Sequence, residues 1–203
     1  MSAAPPLGLR LAEGLLCYQD RVWAVGQDYM LAPNGGVMGF KKKTELINVS
    51  GTNNESASNT FTELQVSLDL DPLSREIFVV TDAYLDCFSP TEVVGTTSVI
   101  AASLTNVTRA NVADIGDSQC ITSVTDKLYQ GQFFSRTNLP VAQQSTGSPR
   151  DYLTIISTPN FFCQVAGTNN TSAKGVHFRL TGFRATADAD TYSALVASEV
   201  LSV

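Results

Sequence analysis

The chain has 203 residues, a formal net charge of −6, 16% charged and 43% apolar residues. That length suits a single β-sandwich or barrel with one core. The acidic balance excludes broad electrostatic binding to nucleic acid, which needs clustered Lys and Arg, and so little charge leaves neutral surface for another chain to bury.

Residues 1–14, rich in Pro, Gly and Ala, read as an N-terminal arm, and residues 15–203 as one domain. Leu15–Tyr18 and Arg21–Val25 can form a hairpin around Gln19-Asp20; a short helix over Leu9–Tyr18 competes and is weakened by Gly14. Pro33-Asn34-Gly35-Gly36 is a turn signal. The cationic run Lys41-Lys42-Lys43 reads as a solvated strand end that blocks edge pairing.

Thr44–Val49 is a predicted strand, followed by a polar loop over Ser50–Asn59. Phe61–Leu70 alternates, with Leu64, Val66, Leu68 and Leu70 on one face. Arg75–Phe88 is the longest strand candidate. One face carries Ile77, Val79, Thr81, Ala83, Leu85 and Cys87; the other mixes Phe78, Val80, Tyr84 and Phe88 with three carboxylates. A strand apolar on both faces lies at a sandwich centre or under an interface.

Val93–Val107 is a further apolar, Thr- and Ser-rich segment, and Asn111–Asp117 is a helical turn or a loop. Leu128–Arg136 and Tyr152–Ser157 are predicted strands separated by a polar loop over Gln143–Arg150. Phe161–Val165 follows, and then Val176–Ala187, where Val176, Phe178, Leu180 and Gly182 alternate with His177, Arg179, Thr181 and Phe183. In the tail, Tyr192, Leu195, Val196 and Val200 fit a helix with Asp190 as N-cap. The strand-rich context favours a last strand there instead. Gly51–Ala57 echoes Gly167–Ala173; a duplicated hairpin or two equivalent exposed loops is one reading, and shared turn chemistry is preferred because the flanking strands differ.

The residues offer little for catalysis. His177 is the one histidine, on the polar side of its strand, and no Gly-x-Ser-x-Gly elbow or phosphate loop occurs. Carboxylate pairs remain: Asp69 and Asp71, Asp82 and Asp86, Asp114 and Asp117, Asp188 and Asp190. They suit Ca²⁺ at a subunit contact or a glycosidase pair, but ordinary turn chemistry accounts for them more simply. The expectation is a non-enzyme with no catalytic, cofactor or metal residue.

Cys17, Cys87, Cys120 and Cys163 lie beside apolar runs and read as buried free thiols. The opening Met1–Pro6 lacks a secretory leader pattern, and no run approaches membrane-helix length. Five Asn-x-Ser/Thr triplets, at Asn48, Asn54, Asn106, Asn169 and Asn170, read as coincidence in an Asn-rich chain.

The many short strands and Ser/Thr/Asn/Gly loops suggest an all-β, antiparallel β-sandwich. The closing stretches Thr171–Val176, Arg179–Ala185 and Tyr192–Val196 resemble the C-termini of small viral capsid proteins with a single jelly roll. The resemblance implies a jelly-roll fold, assembly with copies of itself, contact with other virion proteins and a place in the virion. It departs from the pattern in its first 40 residues, which hold only Arg10 and Arg21 as cations, against direct genome binding. A shell filled by another protein, a filament, or an outer decoration fits that departure. Phe78, Val80, Tyr84 and Phe88 are the predicted interface residues. Two other roles remain open: a carbohydrate-binding module using Trp23, Tyr18, Tyr29 or Tyr129, and an extracellular filament subunit whose residues 1–14 insert into a neighbour.

Overall fold

The structure, a computed structural model, describes residues 29–31, 37–114, 116–130, 132–138 and 152–201. The predicted arm over 1–14, the hairpin over 15–25, the 33–36 turn, the 143–150 loop, Cys17, Tyr18 and Trp23 lie outside the described residues.

The elements run β1 (Tyr29–Leu31), β2 (Val37–Lys42), β3 (Ile47–Asn54), β4 (Thr62–Ser67), β5 (Glu76–Cys87) and β6 (Ser98–Thr105). Then come β7 (Cys120–Tyr129), β8 (Phe133–Asn138), β9 (Thr154–Ile156), β10 (Asn160–Thr168), β11 (Gly175–Ala187) and α1 (Ala189–Val200). Every ladder is antiparallel. Sheet A runs β1-β2-β11-β5-β9, with β3 also on β11; sheet B runs β4-β10-β6-β7-β8.

The pairings are nested. β3 pairs with β11, β4 with β10, β5 with β9, and β6 with β7. A long hairpin of four strand pairs, rolled so that successive pairs alternate between two sheets, is a jelly roll. The chain is therefore an antiparallel β-sandwich of that type, with β8 added beyond β7 as the edge of sheet B.

Between the sheets lies the main core. Phe78, Val80, Ala83 and Leu180 of sheet A meet Ile100, Leu104, Phe161 and Val165 of sheet B, all at most 1% exposed. Phe161 and Phe178 pack edge to face at 5.9 Å. Each of the larger side chains contributes about 1.5–3 kcal/mol through burial, and Ala83 less.

A second cluster sits apart from it, formed by Phe40, Ile77, Val79, Phe183, Ala185 and Ala187, with Tyr192 and Leu195 of α1 packed against it. The tail is thus a helix and not the expected last strand. Asp188, not Asp190, caps it, accepting from the Thr191 backbone N–H at 2.7 Å. The physical reason is tertiary: the outer face of sheet A is apolar at this end, and an amphipathic helix covers it. Glu199, 2% exposed, ties the far end of α1 to the sandwich by accepting from the backbone N–H and hydroxyl of Ser157.

Three other boundaries differ from expectation. β3 continues through Asn54, where composition suggested a loop. Its inward positions are Gly51, which leaves room for the Phe178 ring, and Asn53, whose amide donates to the carbonyls of Thr62 and Cys163. Leu128–Arg136 is not one strand; it is the β7–β8 hairpin, with Gln130 at φ 51° in the turn. β7 eluded its alternation because its buried positions Thr122, Val124 and Asp126 are two-thirds polar.

The echoed Asn-rich segments interlock without being equivalent. Asn53 is in a strand, whereas Asn169 has φ 58° in a turn. Glu55 accepts from the Gly167 and Lys174 backbone N–H groups at 2.6 and 2.8 Å. Asn170 exchanges bonds with Asn59 and accepts from the Thr91 N–H. These contacts fasten the 55–61, 88–97 and 169–174 loops together at one end of the sandwich.

Candidate functional site

One unmatched residue decides what β5 shows to solvent. In the β5–β11 ladder Thr181 faces Asp82 and Gly182 faces Val80, so Thr81 has no partner and forms a β-bulge. A one-residue slip exchanges the faces of every residue beyond it. Before the bulge Phe78 and Val80 point into the main core, and Ile77 and Val79 point outward under α1. After it Ala83 and Cys87 point inward, and Asp82, Tyr84 and Asp86 outward.

The predicted interface set is therefore split. Phe78 and Val80 are 1% and 0% exposed and belong to the core; the bulge turned them away from the outer face. Tyr84 and Phe88 are 54% and 37% exposed.

Beyond the bulge the outer face of sheet A is polar, and no described residue covers it. Its rows follow from register: Thr52, His177 and Asp86 lie side by side across β3, β11 and β5, and Ser50, Arg179 and Tyr84 form the next row. They enclose an open depression of about 490 Å³. The Thr52 hydroxyl is 2.8 Å from His177 Nδ1, and the Phe88 ring leans on the imidazole at 5.0 Å. Arg136 reaches over from β8 to Asp86 at 3.4 Å and holds the buried Asp126 through two bonds of 2.6 and 2.7 Å. The Asp126 hydrogen bonds hold the Arg136 guanidinium above its usual pKa.

A different surface lies at the tip of the β7–β8 hairpin. Tyr129 and Phe133 are a cross-strand pair and Phe134 faces Leu128. Their exposures are 43%, 70% and 57%. β8 is the edge of sheet B, and an edge with exposed aromatics is a template for association. An unbroken strand over Leu128–Arg136, as the sequence suggests, hides this tip. The Phe133-Phe134 doublet, following Gln130-Gly131-Gln132 in the sequence, is its signal.

Six members of the carboxylate pairs, Asp69, Asp71, Asp86, Asp114, Asp117 and Asp188, have partners within the protein. Asp71 accepts from the Ser74 hydroxyl and the Leu73 N–H, and Asp114 from the Gly116 N–H. Asp117 takes the Arg109 guanidinium at 2.6 and 2.9 Å, which holds its carboxyl below the ordinary range. Asp188 is the helix cap. Among the described residues no three His, Cys, Asp or Glu side chains gather into a metal-holding group. Among the described residues His177 hydrogen-bonds to no carboxylate, and its one hydrogen-bonded side-chain neighbour is the Thr52 hydroxyl.

Cys87, Cys120 and Cys163 are free thiols. Burial raises Cys87 and Cys163 to about 12 and Cys120 to about 11, so none is a nucleophile at neutral pH. Asn106 and Asn170, two of the triplet asparagines, are buried, 6% and 5% exposed, and closed to glycans in the folded chain. No described helix is long and apolar enough to cross a membrane.

Among solved structures the chain is similar to VP1 of Merkel cell polyomavirus, solved as an unassembled pentamer. The TM-score is 0.35 and the identity 7%, over 71% of this chain and 97% of that one. It is also similar to a chain of Desmodium yellow mottle tymovirus, with TM-score 0.29 and 9% identity over 71% of this chain and 90% of that one. No family model and no curated protein matches. The jelly-roll assignment stands on the nested pairing described above.

Proposed function

We propose that this protein is a structural subunit that self-assembles, as a viral capsid protein forming the particle shell. The observation that carries the reading is the β7–β8 hairpin: Tyr129, Phe133 and Phe134 stand exposed on an edge strand of a jelly roll. Burying such a tip against another copy gains apolar area and pairs the open edge in one step. A stable contact takes roughly 800 Å² per partner, and in a closed shell many weaker contacts add. The C-terminal resemblance to jelly-roll coat proteins supports the same reading.

The role acts through surfaces and not through an active site. Its partners are copies of this chain, with other virion proteins as a second layer, and its place is the virion. Tyr84 lines a polar-rimmed depression and Phe88 leans on His177 at its side, so the hairpin is the better dry contact.

Electron microscopy and sedimentation of the purified full chain test this. Regular particles or filaments are expected. Phe133→Ser combined with Phe134→Ser should dissolve them into small species with an unchanged circular dichroism spectrum. A wild-type chain that stays monomeric at high concentration overturns the reading.

A further inference from the structure

We propose that the depression on the outer face of sheet A binds an acidic saccharide, a sugar that carries a carboxylate. The inference does not depend on the assembly reading.

Its centre is Arg179. The side chain is exposed, and among the described residues it makes no hydrogen bond or ion pair, whereas Arg109, Arg136 and Arg184 are each paired with carboxylates. A planar guanidinium with five donors and no acceptor is complementary to a carboxylate, which it holds through two parallel bonds. Register places Tyr84 directly beside Arg179 on β5, with its ring half exposed. A flat ring next to a carboxylate clamp offers a platform for the C–H face of a sugar ring, while Ser50, Thr52 and Asp86 supply acceptors and donors for ring hydroxyls.

Charge separates this ligand from its rivals. Asp86 stands in the same depression and would repel a phosphate dianion, yet it suits a hydroxyl-rich ligand bearing one negative charge away from it. The chain's net charge of −6 also disfavours polyanions. β3, β11 and β5 lie side by side, and β11 spends its backbone groups on ladders to both neighbours. Recognition there falls to side chains, unlike the strand addition by which a protein edge docks.

The test uses the full-length chain and a panel of immobilised carboxylate-bearing glycans, followed by saturation-transfer NMR with galacturonate and sialyllactose. Lactose and inorganic phosphate serve as comparators. At least one acidic sugar should bind about tenfold more tightly than lactose, and Arg179→Gln should remove that preference. Tyr84→Ala should weaken binding of both acidic and neutral sugars. Phe134→Ser, on the β7–β8 hairpin and outside the lining of the depression, should leave binding unchanged. The exposed variants should keep the wild-type circular dichroism and melting temperature. No binding across the acidic panel, phosphate binding as tight as the best sugar, or an Arg179→Gln variant that binds like wild type each overturns the proposal. Failure to form particles leaves these outcomes readable, and loss of sugar binding leaves assembly intact.

Discussion

The β5–β11 ladder contains two unlike halves. Towards α1 both faces are apolar, with Phe78 and Val80 in the main core and Ile77, Val79 and Phe183 under the helix. Towards the loop end the inner face stays apolar, but the outer face turns polar with Asp82, Tyr84, Asp86, His177 and Arg179. β11 keeps its parity throughout, and its outward residues simply change character from His177, Arg179 and Thr181 to Phe183, Ala185 and Ala187. β5 reaches the same result by slipping one residue at Thr81. The lesson is that a bulge can hide a core residue in what looks like a surface series, because alternation is counted from the wrong side of it.

Truncation should expose the contrast most strongly. Phe78→Ala empties a fully buried site and should cost about 3–5 kcal/mol in denaturant unfolding. If Phe78 were on the outer face with Tyr84, the loss would be far smaller. Next comes the polar closure of the open half. Arg136→Ala leaves the Asp126 carboxylate, 1% exposed, without its two-bond partner, a loss of about 3 kcal/mol measurable the same way.

Gly182→Val probes the bulge itself. A Cβ at Gly182 would lie 2.3 Å from the Val79 carbonyl oxygen and 2.6 Å from the Phe78 ring, closer than real contacts allow. The strands must part, at about 1–3 kcal/mol, seen as a lower melting temperature and faster amide exchange across Val79–Asp82.

Asp188→Ala tests the helix that covers the apolar half. The Thr191 backbone N–H holds the Asp188 carboxyl below its ordinary range. A carboxyl with a depressed folded-state pKa contributes stability above its unfolded value, and that contribution fades as pH falls through the folded one. The variant should therefore melt below wild type at neutral pH, and the gap should close in acid. A gap that is independent of pH would refute the cap. The smallest effect belongs to Tyr84→Ala, within about 0.5 kcal/mol of wild type, since its ring is half exposed.

Much of the fold was legible in the sequence. The all-β class followed from short alternating runs, and β4, β5, β10 and β11 lie close to their expected places. Leu180 and Val176 were legible as inward residues because β11 never slips. The candidate depression was only half visible: Tyr84 was picked out as outward-facing, while Arg179 and His177 were merely the polar side of another strand. Their meeting depends on β3, β11 and β5 lying side by side, from segments far apart in the sequence.

What the sequence determined alone is the local alternation, since a strand's side chains obey a period of two whatever lies beside them. What only the tertiary structure decided is the slip at Thr81, the exposure of Phe133 and Phe134, and the helix over Ala189–Val200. Each of these depends on a partner strand or an uncovered face elsewhere in the chain. A bulge exists only relative to a neighbour, and a tail becomes a helix when the surface it must cover is already a finished sheet.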